Sequence, residues 1–297
     1  MQKLFCLLPG GMRLNAVLSR LSGGHNPRED LLGRQGTYFI HHCRSLKEIG
    51  FEISGRQCLE IGTGWDLNVP LMMSLAGAKG ITTIDVSKHL QFGHTRKPLP
   101  YFSELVPLLS DVCESSQEEM LRQVDLWHRA DSLEELCRIA GIRYLSPVSQ
   151  DYHELPDKSF DLIYSTAVLE HIYSAKVAQF LSSSFRVLNY GGISSHVIDL
   201  KDHFAYFQRG LPYNHFLKFS EKQWQFWAGN PMTYTNRISP REWRRYFEQA
   251  GFDILLWKEM RESQMKPLPK TQIHPENSHW SNEELAIGEI RVITRRP

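Results

Sequence analysis

The segment Cys58-Leu-Glu60-Ile-Gly62-Thr-Gly64-Trp65 sets the strongest constraint on the fold. Two glycines stand directly behind a short apolar run. A buried strand must turn sharply there, and a ligand can approach the main chain without meeting a Cβ. Leu67 to Leu75 then has a helical pattern ending near Gly77, and a second run rich in β-branched residues, Ile81-Thr-Thr-Ile-Asp85, ends 21 residues after Gly64. Strand, glycine turn, helix and strand make a βαβ unit, whose right-handed crossover implies a parallel sheet.

The alternation continues along the chain. Helical pattern runs from Pro27 to about Ile49 and through Gln117 to Ala140, followed by a short strand near Ile142 to Leu145. Phe160 to Tyr164 is a further buried strand, Val177 to Leu188 a helix ending at Gly191-Gly192, and Ile193 to Ile198 the next strand. Pro240 to Ala250 reads as a helix, and Phe252 to Trp257 with Glu289 to Thr294 close the sheet as an antiparallel pair. Two segments exceed what such a sheet needs, about 88–138 and 201–239, and both read as parts of a substrate cap. Residues 1–50 read as an N-terminal helical arm and 51–297 as the domain that carries the chemistry. Within the arm, Leu14, Val17, Leu18 and Leu21 recur at helical spacing, which suits a packing segment, a lid or a weak membrane-surface contact.

The residues around the glycines discriminate between nucleoside cofactors. A dinucleotide loop needs a third glycine for close helix packing at a pyrophosphate, and Leu67 holds that place. Glu60, aimed into the same crevice, would repel a pyrophosphate and attract an ammonium group. Asp85 can accept both hydroxyl protons of a ribose, or cap the following helix.

Taken in succession, Glu60-Ile-Gly62-Thr-Gly64, Asp85, Gln150-Asp151-Tyr-His-Glu-Leu155-Pro156, Phe160-Asp161-Leu-Ile-Tyr-Ser-Thr-Ala-Val-Leu-Glu170-His171 and Phe185-Arg-Val-Leu-Asn-Tyr-Gly191-Gly192 resemble the motifs of class I S-adenosylmethionine-dependent methyltransferases. The likeness spans most of the chain from about Gln57 onward. It implies an α/β, doubly wound, mostly parallel seven-stranded sheet with one antiparallel terminal strand, with S-adenosyl-L-methionine as cofactor and S-adenosyl-L-homocysteine as product. It also implies a cofactor site made by Glu60, Gly62, Thr63, Gly64, Asp85 and Val86. Asp151 would meet the adenine amino group, the Tyr152 main-chain amide a ring nitrogen, and Ser165 and Thr166 the methionine end.

A sulfonium methyl is already activated, so the protein has chiefly to align the acceptor and exclude water. A hydroxyl acceptor also benefits from a base. His203, His171 and Asp199 are the candidates, because Asp199 to His203 follow the strand that ends over the methyl-transfer face. The alternative is that Asp199 and Asp202 cap a helix and His203 merely packs. Some related O-methyltransferases hold a divalent metal with a Glu-x-x-Glu-His pattern. Here Ala167 takes the first glutamate position, so no metal site is expected.

The aromatic run from Phe204 to Tyr234 could stack a flat or sugar-like acceptor or form a small core of its own. Asn214, Asn230, Asn236 and Arg237 offer polar tips of the kind that carbohydrate recognition uses. This region is also similar to caps of methyltransferases associated with bacterial polysaccharide and glycoconjugate synthesis, through Asp199 to His203 and Asn236 to Pro240. The expected reaction is therefore O-methylation of a small molecule or glycan intermediate. A cofactor-binding scaffold without catalysis and an RNA methyltransferase are the alternatives.

Charge composition narrows these choices. A formal net charge of +1 leaves no excess positive field for duplex nucleic acid. Arg241, Arg244 and Arg245 cluster but are interleaved with acids, as on a solvated helix face. Five scattered cysteines without a Cys-x-x-Cys pair argue against a disulfide framework or zinc site and suit the cytoplasm. The opening apolar stretch is broken by Pro9, Gly10 and Gly11, too short for a signal peptide or a transmembrane segment.

Overall fold

A computed structural model describes residues 26–149, 151–206, 208–229 and 234–297. The helical spacing read at Leu14 to Leu21 lies outside the described residues, as does Asn230. Seven strands form one sheet: β1 (Gln57–Ile61), β2 (Gly80–Ile84), β3 (Ile142–Leu145), β4 (Phe160–Thr166), β5 (Leu188–Asp199), β6 (Asp253–Arg261) and β7 (Ile287–Arg295), in the order β3-β2-β1-β4-β5-β7-β6. β7 alone runs antiparallel, pairing with β5 and β6 on its two sides. This is the mostly parallel, doubly wound α/β sheet with one antiparallel strand that the alternation of elements predicts. Its central strands are apolar on both faces, since helices cover both.

One face carries α1 (Gly36–Glu48), α2 (Asn68–Leu75), α3 (Phe92–Arg96), α4 (Phe102–Ser110), α5 (Gln117–His128) and α6 (Leu133–Ala140). Their apolar residues share one core: Phe39, Cys43 and Leu46 of α1 meet Leu71, Phe102, Leu105, Trp127 and the sheet's Cys58 and Leu162. The opposite face is covered by α7 (Val177–Val187) and α9 (Pro240–Gln249), with Phe180, Leu181, Trp243 and Phe247 on Leu59, Ile163 and Ile198. A third, smaller core joins Phe216, Leu217, Trp224 and Ala228 to Leu268, Trp280 and Leu285, and α8 (Glu221–Ala228) belongs to it.

Two boundaries differ from the sequence reading, each for a local reason. The helical pattern from Gln117 to Ala140 is two helices. Ser132 caps the second, accepting a hydrogen bond from the Glu135 main-chain N–H at 3.1 Å, and this Ser-x-x-Glu signature at 132–135 is the overlooked stop-and-start signal. β5 starts at Leu188, ahead of the two glycines. Gly191 and Gly192 bend the strand without ending it, so that Phe160 pairs with Leu188 while Leu162 pairs with Ile193.

The chain before α1 is continuous with it. Pro27–Glu29 opens the helix and is capped by the Asn26 side chain, and Asp30–Gln35 is wound as a π-helix. Gln35, Tyr38 and His42 recur at helical spacing along this stretch.

Candidate active site

The crevice lies at the carboxyl ends of β1, β2, β4 and β5. Gly62 and Gly64 both take left-handed backbone angles, φ +87° and +68°. The Gly62 and Thr63 N–H groups donate to the Ile84 carbonyl at 2.8 and 3.1 Å, which ties the loop to the end of β2. A Cβ on Gly62 would stand 2.5 Å from a methyl of Val168, so only glycine lets the segment after β4 close over the loop. The segment 88–138 also reaches the loop, since the Thr95 hydroxyl accepts the Leu67 N–H at 3.1 Å.

Glu60 is buried beneath this loop. The Thr63 hydroxyl donates to Thr83 at 2.6 Å, and the Thr83 hydroxyl donates to Glu60 Oε2 at 2.5 Å. Burial pushes the Glu60 carboxyl up to about 8, against the opposing hydrogen bond from Thr83.

Asp85 follows β2 directly. Its Oδ2 accepts the Gly64 N–H at 2.9 Å and its Oδ1 accepts the Ser87 N–H at 2.9 Å. The carboxylate therefore braces the glycine turn and makes an Asx turn, while each oxygen keeps a further acceptor site. Val86 beside it is 54% exposed, an apolar side chain open at the rim.

Asp151 is also at the rim. Hydrogen bonds from Ser149 and His153 hold its carboxyl down at about 2. Tyr152 has a left-handed backbone, φ +35°, and its N–H donates to the Ser149 carbonyl at 3.0 Å, so this amide is spent in a turn. Its ring is buried, with the hydroxyl 2.8 Å from Ser184.

The side chains of Ser165 and Thr166 point to opposite faces of β4. Ser165 is buried against His196 Nδ1 at 2.8 Å, and Thr166 meets His42 Nε2 at 3.1 Å. The other nitrogen of His42 is 2.7 Å from the Ser195 hydroxyl. Burial lowers His42 to about 4 and His196 to about 3, so both are neutral hydrogen-bonding groups near pH 7.

α1 thus takes part in the site in a way the sequence did not disclose. His42 reaches under the end of β4. Gln35 donates to Asp66 at 3.2 Å and accepts from Asn68 at 2.7 Å, behind the glycine loop. Burial, then Glu289, raises the Tyr38 hydroxyl, with Asp199 adding to the effect. The available signal was the helical spacing of 35, 38 and 42, polar positions on an otherwise core-facing helix.

Directly after β4, Ala167 has φ +52°, an uncommon angle for alanine, and the turn leads Leu169–His171 back across the sheet edge. Glu170 is buried and burial raises its carboxyl well above the usual carboxylate range. The His171 Nδ1 donates to the Tyr234 carbonyl at 2.8 Å, and burial lowers its pKa.

The His203 ring meets that of His171 edge-on, with centroids 4.9 Å apart. Asp199 Oδ2 lies 3.4 Å from His203 Nε2 and accepts the Tyr206 hydroxyl at 2.5 Å. Burial would raise Asp199, but His203, the Lys201 charge and Tyr206 outweigh it and leave the carboxyl below its ordinary value. The fold therefore brings together the three candidate catalytic residues, and adds Glu170 and Tyr206.

Three of the polar tips read as carbohydrate contacts, Asn214, Asn236 and Arg237, hold the protein's own main chain. Asn236 is buried, and its Nδ2 donates to the Leu169 and Ile172 carbonyls at 2.8 and 3.0 Å. Asn214 Oδ1 accepts the Leu268 N–H at 2.6 Å, and Arg237 donates to the Phe216 and Phe219 carbonyls and pairs with Glu221. These groups hold the 201–239 segment in shape, because a chain with so little regular structure must satisfy its main-chain carbonyls from side chains. Much of the aromatic run is likewise core: Tyr213, Phe216 and Trp224 are buried, whereas Tyr206, Phe226 and Trp227 are exposed.

Residues 34–256 match the family model described as a methyltransferase domain. The chain belongs to this methyltransferase family. Its cofactor is S-adenosylmethionine. No curated protein matches the sequence. Among solved structures, an S-adenosylmethionine-dependent methyltransferase from Mesorhizobium loti is 19% identical, over 85% of this chain and 96% of that one, with a TM-score of 0.48. The candidate methyltransferase bound to the Trm112 activator from Haloferax volcanii is 14% identical over 91% and 94%, at 0.49. The [4+2]-cyclase SpnF is 17% identical over 87% and 81%, at 0.47.

A methyltransferase with a buried, protonated Glu60 should bind its cationic cofactor with release of a proton. The free carboxyl titrates at about 8, and an ammonium group placed beside it would favour the ionised form. Affinity is then expected to rise with pH up to about 8, by as much as tenfold per unit when one proton is released. The cofactor's own amine titrates in the same range, so the comparison is with Glu60→Gln, whose affinity should lack this rise. Calorimetry of both proteins across pH, in buffers of different ionisation heat, checks it. Equal pH profiles would place Glu60 away from the ammonium.

Proposed function

We propose that this methyltransferase transfers the methyl group to a hydroxyl oxygen of a small molecule, glycan intermediates included. The observation that supports this reading is the meeting of His171, Asp199 and His203 beside the cofactor loop, at the ends of β4 and β5. In this reading Glu60, Gly62, Thr63, Gly64, Asp85, Val86 and Asp151 hold the cofactor, with Ser165 and Thr166 shaping the methionine end from beneath and the Tyr152 turn shaping the adenine end. His171 and His203 orient the acceptor. The oxygen attacks the methyl carbon, the carbon to sulfur bond breaks, and its electron pair stays on sulfur to give S-adenosylhomocysteine. Asp199 receives the hydroxyl proton and passes it to water.

In this reading the Thr95 end of segment 88–138 borders the cofactor side, while the rest of that segment packs on the sheet, and segment 201–239 borders the acceptor side. Among the described residues no helix is long and apolar enough to cross a membrane. The reduced cysteines Cys43, Cys58, Cys113 and Cys137 suit a cytoplasmic setting. Two of the three clustered arginines have partners on their own surface, Arg241 with Glu284 and the His279 carbonyl and Arg244 over the Trp257 ring, which supports a small-molecule acceptor over RNA.

The test is transfer of labelled methyl from the cofactor to fractions of a cell extract. Label is expected in a small, ribonuclease-resistant product whose methyl is ether-linked, and Asp199→Asn should lower its turnover by about 10²-fold or more with little change in cofactor affinity. Tight cofactor binding with no label in any fraction would favour a scaffold, and label lost on ribonuclease treatment would favour RNA.

A further inference from the structure

Glu170 is a buried carboxyl group left without a cation or a side-chain donor. It is 1% exposed, and only the main chain of Glu170 and Asp199 approaches its oxygens, with no well-aligned hydrogen bond. Three acids nearby each have a cation or a hydroxyl. Asp199 has Lys201 at 3.8 Å and the Tyr206 hydroxyl, Glu262 has Lys201 at 3.3 Å, and Glu289 has Arg291 at 2.6 Å. A carboxyl buried in this way stays neutral unless a positive charge comes beside it, and the protein's own side chains place none there.

Two imidazoles face the same point. A carbonyl oxygen can only accept, so the hydrogen bond from His171 to Tyr234 puts the proton on Nδ1 and leaves a lone pair on Nε2. His203 Nε2 stands 3.4 Å from Asp199 Oδ2, close enough to pair with it but not aligned as a hydrogen bond, so a small ring rotation frees it. Ligand atoms of Glu170, His171 and His203 all lie within 4.8 Å of one another. A bond of about 2.1 Å from each to a common ion then needs small side-chain adjustments only.

The surrounding structure holds these groups in place. Asn236 donates its main-chain N–H to the Glu170 carbonyl at 2.6 Å and its side chain to Leu169 and Ile172, which fixes the turn carrying Glu170 and His171. Asp202 accepts the Phe204 N–H at 2.9 Å and so sets the turn that begins with His203.

We propose that Glu170, His171 and His203 form a binding site for a divalent transition-metal ion of the manganese or zinc class. Two imidazoles and one carboxylate favour such ions over magnesium or calcium, which prefer oxygen ligands. Three protein ligands leave coordination positions open, and an acceptor hydroxyl bound there would lose its proton more readily. That last role rests on the proposed O-methylation; the binding of the ion does not. His203 stands 32 residues after His171, so the sequence pattern that Ala167 breaks gave no reason to look for it.

The test uses the full-length protein, stripped of metal with a chelator and titrated with manganese and with zinc by calorimetry. One ion per chain is expected, with affinity lowered at least tenfold by Glu170→Gln and by His203→Ala and unchanged by His279→Ala, a half-exposed histidine elsewhere. Cofactor affinity reports that each variant is folded. Should Glu170→Gln lose cofactor binding, His203→Ala on its partly exposed turn decides alone.

No binding of either ion by the wild-type protein, or an equal loss in His279→Ala, overturns the site. The two proposals fail separately. Ion binding without methyl transfer to any fraction would sink the reaction and keep the site, whereas chelator-insensitive transfer without ion binding would do the reverse.

Discussion

Replacing Asp85 with alanine is expected to weaken S-adenosylmethionine binding by about 2–4 kcal/mol, since each buried hydroxyl left unpaired costs roughly 1–3 kcal/mol. The reason lies in what the carboxylate does on both sides. Toward the protein it accepts the Gly64 and Ser87 N–H groups at 2.9 Å each, so its removal also loosens the glycine turn. Toward the cofactor, its remaining acceptor sites would take the two ribose hydroxyls in the proposed binding mode. Calorimetry on Asp85→Ala and Asp85→Asn separates the effects, because asparagine can still accept the Gly64 N–H. An alanine variant that binds the cofactor within twofold of wild type would mean that the ribose lies elsewhere.

Gly62→Ala is the second large effect, and it acts through the backbone. An alanine at φ +87° costs about 1–2 kcal/mol, and its Cβ, 2.5 Å from Val168, adds a steric cost of about 1–3 kcal/mol. Val168 leads into the turn with Glu170 and His171, so relief of the clash shifts the acceptor side along with the cofactor loop. The expected outcome is a loss of about 2–5 kcal/mol of stability in urea unfolding, together with loss of cofactor binding. Gly64→Ala supplies the control: its backbone is equally left-handed, but a Cβ there meets nothing within 4 Å. It should cost only the backbone term, and a Gly62 variant no worse than this one would show that Val168 yields freely.

The sheet was legible because its signals are local. β1, β3 and the helix after the glycine loop fall within a residue or two of where apolar periodicity and glycine place them, since strand and turn conformations follow from neighbouring residues. The Ser-x-x-Glu cap at 132–135 was equally local and was passed over because the apolar pattern continues across it. The polar side chains of the 201–239 segment were harder to read. Asn236 carries no mark that distinguishes a ligand contact from a clamp on two carbonyls, because the same amide serves either.

Sequence by itself determined the order of strands and helices, the glycine loop with Asp85 at its side, and the kinship with methyltransferases. All of these rest on residues within one βαβ unit or on a succession of short motifs. Tertiary structure alone decided which side chains meet. It brought His42 beneath the end of β4, gathered Glu170, His171 and His203 from two turns, and turned part of an aromatic run into a separate core. The physical reason is that main-chain conformation is settled by near neighbours, whereas a side chain's partner is chosen by packing between segments far apart along the chain.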